Sequence, residues 1–123
     1  MIDTETVRAL ALALPGVADD SAPGRLAFSV GGRGFAWTYL ERVAPKKPRL
    51  PRLEVLAVRC AIERKEMLIG ARPEAFFDDD HYRGYPAVLV RLAHVEADEL
   101  AALLASAHGD HAQKPQPRSR RGS

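Results

Sequence analysis

Cysteine occurs once in this 123-residue chain, at position 60, so no internal disulfide can form. Small secreted domains usually carry cross-links, and a lone thiol points instead to a reducing compartment. No apolar run approaches the roughly 20 residues that span a bilayer. The opening Met1-Ile2-Asp3-Thr4-Glu5 is acidic where a secretory leader is basic and then apolar. These absences predict a cytoplasmic protein with no membrane association. Catalytic signatures are missing as well: there is no P-loop lysine, no nucleophile elbow and no zinc-protease helix. The expectation is a protein that is not an enzyme and carries no cofactor.

What remains has ordinary globular composition, 46% hydrophobic and 28% charged. The length suits a single domain, read as residues 1–110, which buries about two-thirds of its unfolded surface. Residues 111–123 are polar and rich in proline and arginine, and read as a disordered basic tail. The net charge is only +2, but it is unevenly spread. Arg42, Lys46, Lys47, Arg49 and Arg52 fall within one stretch that contains no acid. Lys114, Arg118, Arg120 and Arg121 add four cations in the tail. Setting those nine aside leaves nine basic residues against 16 acidic ones, so basicity is confined to one loop and one tail.

Periodicity supplies the elements. Asp3 is an N-cap, Ile2 and Val7 form a hydrophobic staple, and Val7, Leu10, Ala11 and Leu14 make one apolar stripe ended by Pro15-Gly16. Val17 to Gly24 reads as loop. Residues 27–30 and 33–40 alternate around Gly31-Gly32, a two-residue hairpin turn that needs positive φ. Phe28 and Val30 share one face of the first strand; Phe35, Trp37 and Tyr39 share a face of the second. The segment 43–51 holds three prolines and reads as a solvated loop. Residues 53–60 form a nearly apolar central strand, 63–71 a helix broken before Phe76-Phe77, 87–92 a last strand, and 96–107 a helix with Gly109 at its C′ position. The order α-β-β-β-α-β-α, with hairpins rather than βαβ units, predicts an α+β fold: an antiparallel sheet with helices packed on one face.

Most candidate constellations dissolve on inspection. Gly31-Gly32-Arg33-Gly34 lacks the third glycine of a dinucleotide loop, and a strand follows it. Asp78, Asp79, Asp80 and His81 are adjacent, so on an extended chain their side chains diverge, and no metal site is expected. His108 and His111 lack a third ligand. Cys60 closes an apolar strand and reads as a buried structural thiol.

Two features keep a functional reading. The basic loop, with Arg42, Lys46, Lys47, Arg49 and Arg52, offers cations stiffened by proline, as contacts to DNA phosphates require, and Arg33 of the hairpin is a further candidate contact. The turn His81-Tyr82-Arg83-Gly84-Tyr85-Pro86 offers side chains that hydrogen-bond and stack on ligands or bases. His81, Tyr82, Arg83 and Tyr85 are its candidate contacts.

Several stretches together resemble the MmcQ/YjbR-like family of small bacterial proteins. They are the helix Val7–Leu14 ending in Pro15-Gly16-Val17, the hairpin from Ala27-Phe28-Ser29-Val30 to Trp37, Pro73-Glu74-Ala75-Phe76-Phe77, His81-Tyr82-Arg83-Gly84-Tyr85-Pro86-Ala87 running on to Leu92, and the closing Asp98-Glu99-Leu100 helix. The resemblance covers roughly residues 4–108 and implies a CyaY-like fold and DNA binding through a double wing. Relatives read His-Gly-x-Pro-Ala-Phe where this chain has Pro23-Gly24-Arg25-Leu26-Ala27-Phe28. The reading placed first is a DNA-binding protein of low sequence specificity, since no base-reading helix is present. The alternative is a non-catalytic module that binds a small ligand or protein at the His81–Tyr85 turn. Iron handling, suggested by the CyaY likeness, ranks last, because Asp3, Glu5 and Arg8 do not form an acidic helix face.

Overall fold

The computed structural model describes residues 2–41 and 46–113. Helix α1 (Thr4–Leu12) opens with Asp3, whose carboxylate accepts the Thr6 amide at 2.8 Å, as the capping rule requires. Val7 and Ala11 of this helix are fully buried. Strand β1 (Val17–Asp19) follows, then the hairpin of β2 (Ala27–Val30) and β3 (Arg33–Glu41). Gly31 and Gly32 have φ of 60° and 79°, so the two-residue turn forms as the sequence predicts. Strand β4 (Leu50–Arg59), helix α2 (Ile62–Ala71), the short β5 (Phe76–Phe77), β6 (Ala87–Arg91) and helix α3 (Ala97–Gln113) complete the chain.

The fold is α+β: three helices and a six-stranded antiparallel sheet in the order β1-β2-β3-β4-β6-β5. The main core lies between one sheet face and the helices. Phe28, Leu56, Val58, Phe76, Val88 and Val90 of the sheet pack with Val7 and Ala11 of α1 and Leu100, Leu103 and Leu104 of α3. Leu68 and Ile69 of α2 close its margin. Each fully buried large side chain contributes about 1.5–3 kcal/mol relative to exposure. A smaller cluster occupies the opposite face, where Ala57, Tyr82, Ala87 and Leu89 are packed by Trp37, Tyr39, Val55 and Phe77.

Four sequence expectations are corrected. Val17–Asp19 and Phe76–Phe77 are strands at the two edges of the sheet, too short to show alternation in sequence. Phe35 does not share a face with Trp37 and Tyr39. The β2–β3 register slips between Phe28 and Ser29, leaving Phe35 as the extra residue of a bulge that joins the helix-side core. Leu50 and Pro51 belong to a strand, not a loop: Pro51 pairs with Leu40 on an outer stretch where only β3 is a neighbour, so no ladder bond is lost on the far side. Finally α3 runs through Gly109 to Gln113, because Gly109 does not adopt the positive φ that would stop the helix. Residues 114–123, the remainder of the predicted tail, lie outside the described residues.

Strand β4 has a discontinuity that positions the site. Thr38 pairs with Leu56, but the next residue, Tyr39, pairs with Arg52, so Leu53, Glu54 and Val55 are skipped in the ladder with β3. From Val55 onward β4 pairs with β6. Tyr39–Glu41 and Leu50–Arg52 therefore form a two-stranded arm beyond the body of the sheet, tied by an Arg52–Glu41 ion pair.

Candidate functional site

The sheet face away from α1 and α3 carries an open cleft of about 420 Å³ lined by Trp37, Leu40, Arg49, His81, Tyr82 and Tyr85. Its construction begins with alternation. Once the bulge has turned Phe35 inward, Trp37 and Tyr39 project to this side of β3. The turn between β5 and β6 then folds over them. Tyr82 is 7% exposed and its hydroxyl accepts the Trp37 indole N–H at 3.0 Å. Burial pushes its phenol above the ordinary range, while the Trp37 hydrogen bond opposes that shift. Tyr82 is thus the floor of the cleft and a fixing point for the indole.

Lys65 holds the turn from beneath. It is buried, and its ammonium donates to the carbonyls of Tyr82 at 2.7 Å and Tyr85 at 2.9 Å, with Asp78 Oδ2 at 3.1 Å. The three adjacent carboxylates lead into a turn rather than along an extended strand, and each has its own partner although Asp79 and Asp80 line one hollow with His81. Asp78 faces Lys65, Asp79 accepts the Tyr39 hydroxyl and the Tyr82 amide, and Asp80 pairs with Arg83. Burial and the Asp79 hydrogen bond both raise the Tyr39 phenol well above its usual range, so this hydroxyl stays a donor. Gly84, with φ of 76°, allows the chain to reverse before Tyr85.

Tyr85 stands at the rim, exposed, with its hydroxyl accepting from Arg59 at 2.9 Å. The Arg59 guanidinium lies 5.2 Å from the Tyr85 ring centroid and 5.6 Å from that of Trp37, a cation–π bridge between them. Its Nε donates to the Gly34 carbonyl. On the other wall Arg49 Nη1 donates to His81 Nε2 at 2.8 Å, and the His81 ring meets Tyr82 edge-on.

The predicted site residues separate into groups. Arg49, His81, Tyr82 and Tyr85 come together around the cleft. Lys46 and Lys47 are exposed just before Arg49, and among the described residues none of these three forms an ion pair. Arg52 is engaged by Glu41 and Arg83 by Asp80. Arg33 sits at the hairpin end of β3, roughly 20 Å along the strand from Tyr39. Arg42 lies outside the described residues.

Sequence reasoning missed Trp37, Tyr39, Arg59 and Lys65 as parts of this site. Lys65 left one readable trace: it occupies the stripe position that Leu68 and Ile69 continue at i+3 and i+4, where an apolar residue is expected. Cys60 is buried, as predicted, and burial pushes its thiol up to about 11.

Comparison with known proteins adds the lineage. A crystal structure of a Deinococcus radiodurans protein with a DUF419 domain superposes with a TM-score of 0.69 at 24% identity, covering 93% of this chain and 81% of that one. That likeness carries the fold. Uncharacterised proteins of Mycobacterium tuberculosis and Mycobacterium bovis are 41% identical over 58 residues, which is 46% of this chain and 45% of each relative. The match thus spans less than half the length of those relatives. The family model described as YjbR matches residues 12–109. The chain belongs to the YjbR family.

Proposed function

We propose that this protein binds DNA with low sequence specificity through the face that carries the cleft. The observation that supports this reading best is the Arg49–His81 contact, which brings the basic loop and the aromatic turn to one site. Arg49 meets an imidazole nitrogen rather than a carboxylate, and among the described residues it forms no ion pair. Lys46 and Lys47 extend the same cationic edge. Phosphate contacts need cations of this kind held on a fixed backbone, and they carry no base preference of their own. In this reading Lys46, Lys47 and Arg49 contact phosphates, Arg33 marks a second and separate contact, and Arg52 and Arg83 keep structural ion pairs.

The test is fluorescence anisotropy of labelled DNA at several salt concentrations. Binding with a log–log salt slope of about −0.9 per duplex phosphate contacted is expected. The Lys46→Ala/Lys47→Ala/Arg49→Ala variant should lose most of that affinity, and a chain ending at Gln113 should keep it. Affinity that disappears with residues 114–123 alone removes the folded domain from the reading.

A second reading is a non-catalytic module for a small ligand or a protein. It is favoured by the cleft volume of about 420 Å³, within the range of ligand pockets, roughly 300–1,000 Å³. Binding that is insensitive to salt and lost in Tyr85→Ala would select it.

A further inference from the structure

We infer that the cleft is a subsite for a single nucleotide unit, an unstacked base together with its phosphate, so that single strands are preferred over duplex. This rests on the DNA-binding reading above and specifies which form of DNA the site accepts.

Two kinds of wall carry the inference. One is planar and apolar: the rings of Trp37, Tyr82 and Tyr85, with Leu40 beside them. The other is cationic: Arg49, which the exposed Lys46 and Lys47 shortly precede in the chain. A base has a π-face for the first and a phosphate for the second, and aromatic stacking tolerates every base. A paired base inside a duplex presents only its edge to a protein, and could not enter a concave site between rings.

Glu41, Asp79 and Asp80 line an adjoining hollow with Arg49 and His81. Two of these acids are paired with cations, Glu41 with Arg52 and Asp80 with Arg83, while Asp79 accepts from the Tyr39 hydroxyl and the Tyr82 amide and keeps its charge. The phosphate is therefore assigned to the Arg49 side of the cleft, which these three acids do not line. The walls are also set before any ligand arrives. Tyr82 fixes the Trp37 indole, Arg59 fixes Tyr85, and His81 fixes Arg49. A site already ordered in this way loses little side-chain freedom on binding.

The chain has a single tryptophan, and it lies in this cleft, so its emission reports occupancy directly. The experiment titrates the full chain with a short oligothymidylate, with a duplex of equal length, and with thymidine monophosphate. Trp37 emission and the anisotropy of labelled oligonucleotide are read in parallel. The expected result is quenching of Trp37 by the single strand, with affinity about tenfold or more above the duplex. Tyr85→Ala should lower single-strand affinity about tenfold, while Tyr85→Phe retains it. Quenching by the monophosphate alone, as strong as by the strand, assigns the same chemistry to a free nucleotide. Equal affinity for strand and duplex with unchanged Trp37 emission overturns the subsite and leaves the DNA-binding reading standing. No anisotropy change with either DNA at low salt overturns both.

Discussion

The ammonium of Lys65, on α2, lies 2.7 Å from the main-chain oxygen of Tyr82 and 2.9 Å from that of Tyr85. With Asp78 at 3.1 Å, these contacts use the three N–H donors of a side chain that is only 3% exposed. The lysine thus stands where a helix would otherwise place a hydrophobic residue, and it fixes both ends of the aromatic turn.

Replacing Lys65 by Met keeps the stem but removes the ammonium from two carbonyls and the Asp78 carboxylate, which retain only their main-chain donors, the amides of Tyr85, Ala87 and Asp79. The expected loss is about 2–4 kcal/mol in urea unfolding, below the full value for a sealed pair because Asp78 is 28% exposed. Lys65→Arg should recover little, since a planar fork cannot serve three acceptors set for a compact ammonium.

Tyr82→Phe removes the hydroxyl that accepts the Trp37 indole N–H. The expected cost is about 1 kcal/mol. Trp37 emission should also change, since its hydrogen bond is lost while the ring at position 82 keeps its contact with Tyr39. Loss of stability with unaltered emission would count against the Trp37–Tyr82 pair.

The Cys60 thiol makes stability depend on alkaline pH. Its value rises from 9.0 to about 11 on folding, with burial as the leading cause. Between those values the unfolded chain releases a proton that the folded chain retains, so stability falls as pH rises. The fall is at most about 1 kcal/mol per pH unit. Tyr39 and Tyr82, also raised, add to it above pH 10. Unfolding of Cys60→Ala measured at pH 8.5 to 10 should show a shallower slope than wild type, whatever its stability at pH 7.

At the hairpin, Gly31→Ala and Gly32→Ala should each cost about 1 kcal/mol. A Cβ at either position meets no atom within 4 Å, so the cost is backbone strain from φ of 60° and 79°. Gly34→Ala is the control: its surroundings are equally open, its φ is not positive, and thermal unfolding should barely move.

These residues also show what was legible from sequence. Asp3, Gly31-Gly32 and the stripe of α3 announce themselves because caps, tight turns and 3.6-residue periodicity are local effects. The faces of β3 were not legible, since the bulge at Phe35 depends on the partner strand β2. Strands β1 and β5 were hidden for a similar reason: with three and two residues, they exist only through pairing. At the site, the sequence named Arg49, His81, Tyr82 and Tyr85 in two separate segments. Their convergence, and the parts of Trp37, Arg59 and Lys65, are products of tertiary contact over 17 to 45 residues of chain.

The skipped residues Leu53, Glu54 and Val55 divide β4 into two pieces with separate duties. The inner piece is clamped between β3 and β6 and belongs to the core; the outer piece touches β3 alone. Leu40, which lines the cleft, rides on that outer ribbon, and Arg49 adjoins its β4 strand. The stagger therefore works as a joint that separates the outer wall of the cleft from the folded interior. Length and charge on the outboard side can therefore change without repacking Leu56 or Val58, which sit in the inner piece.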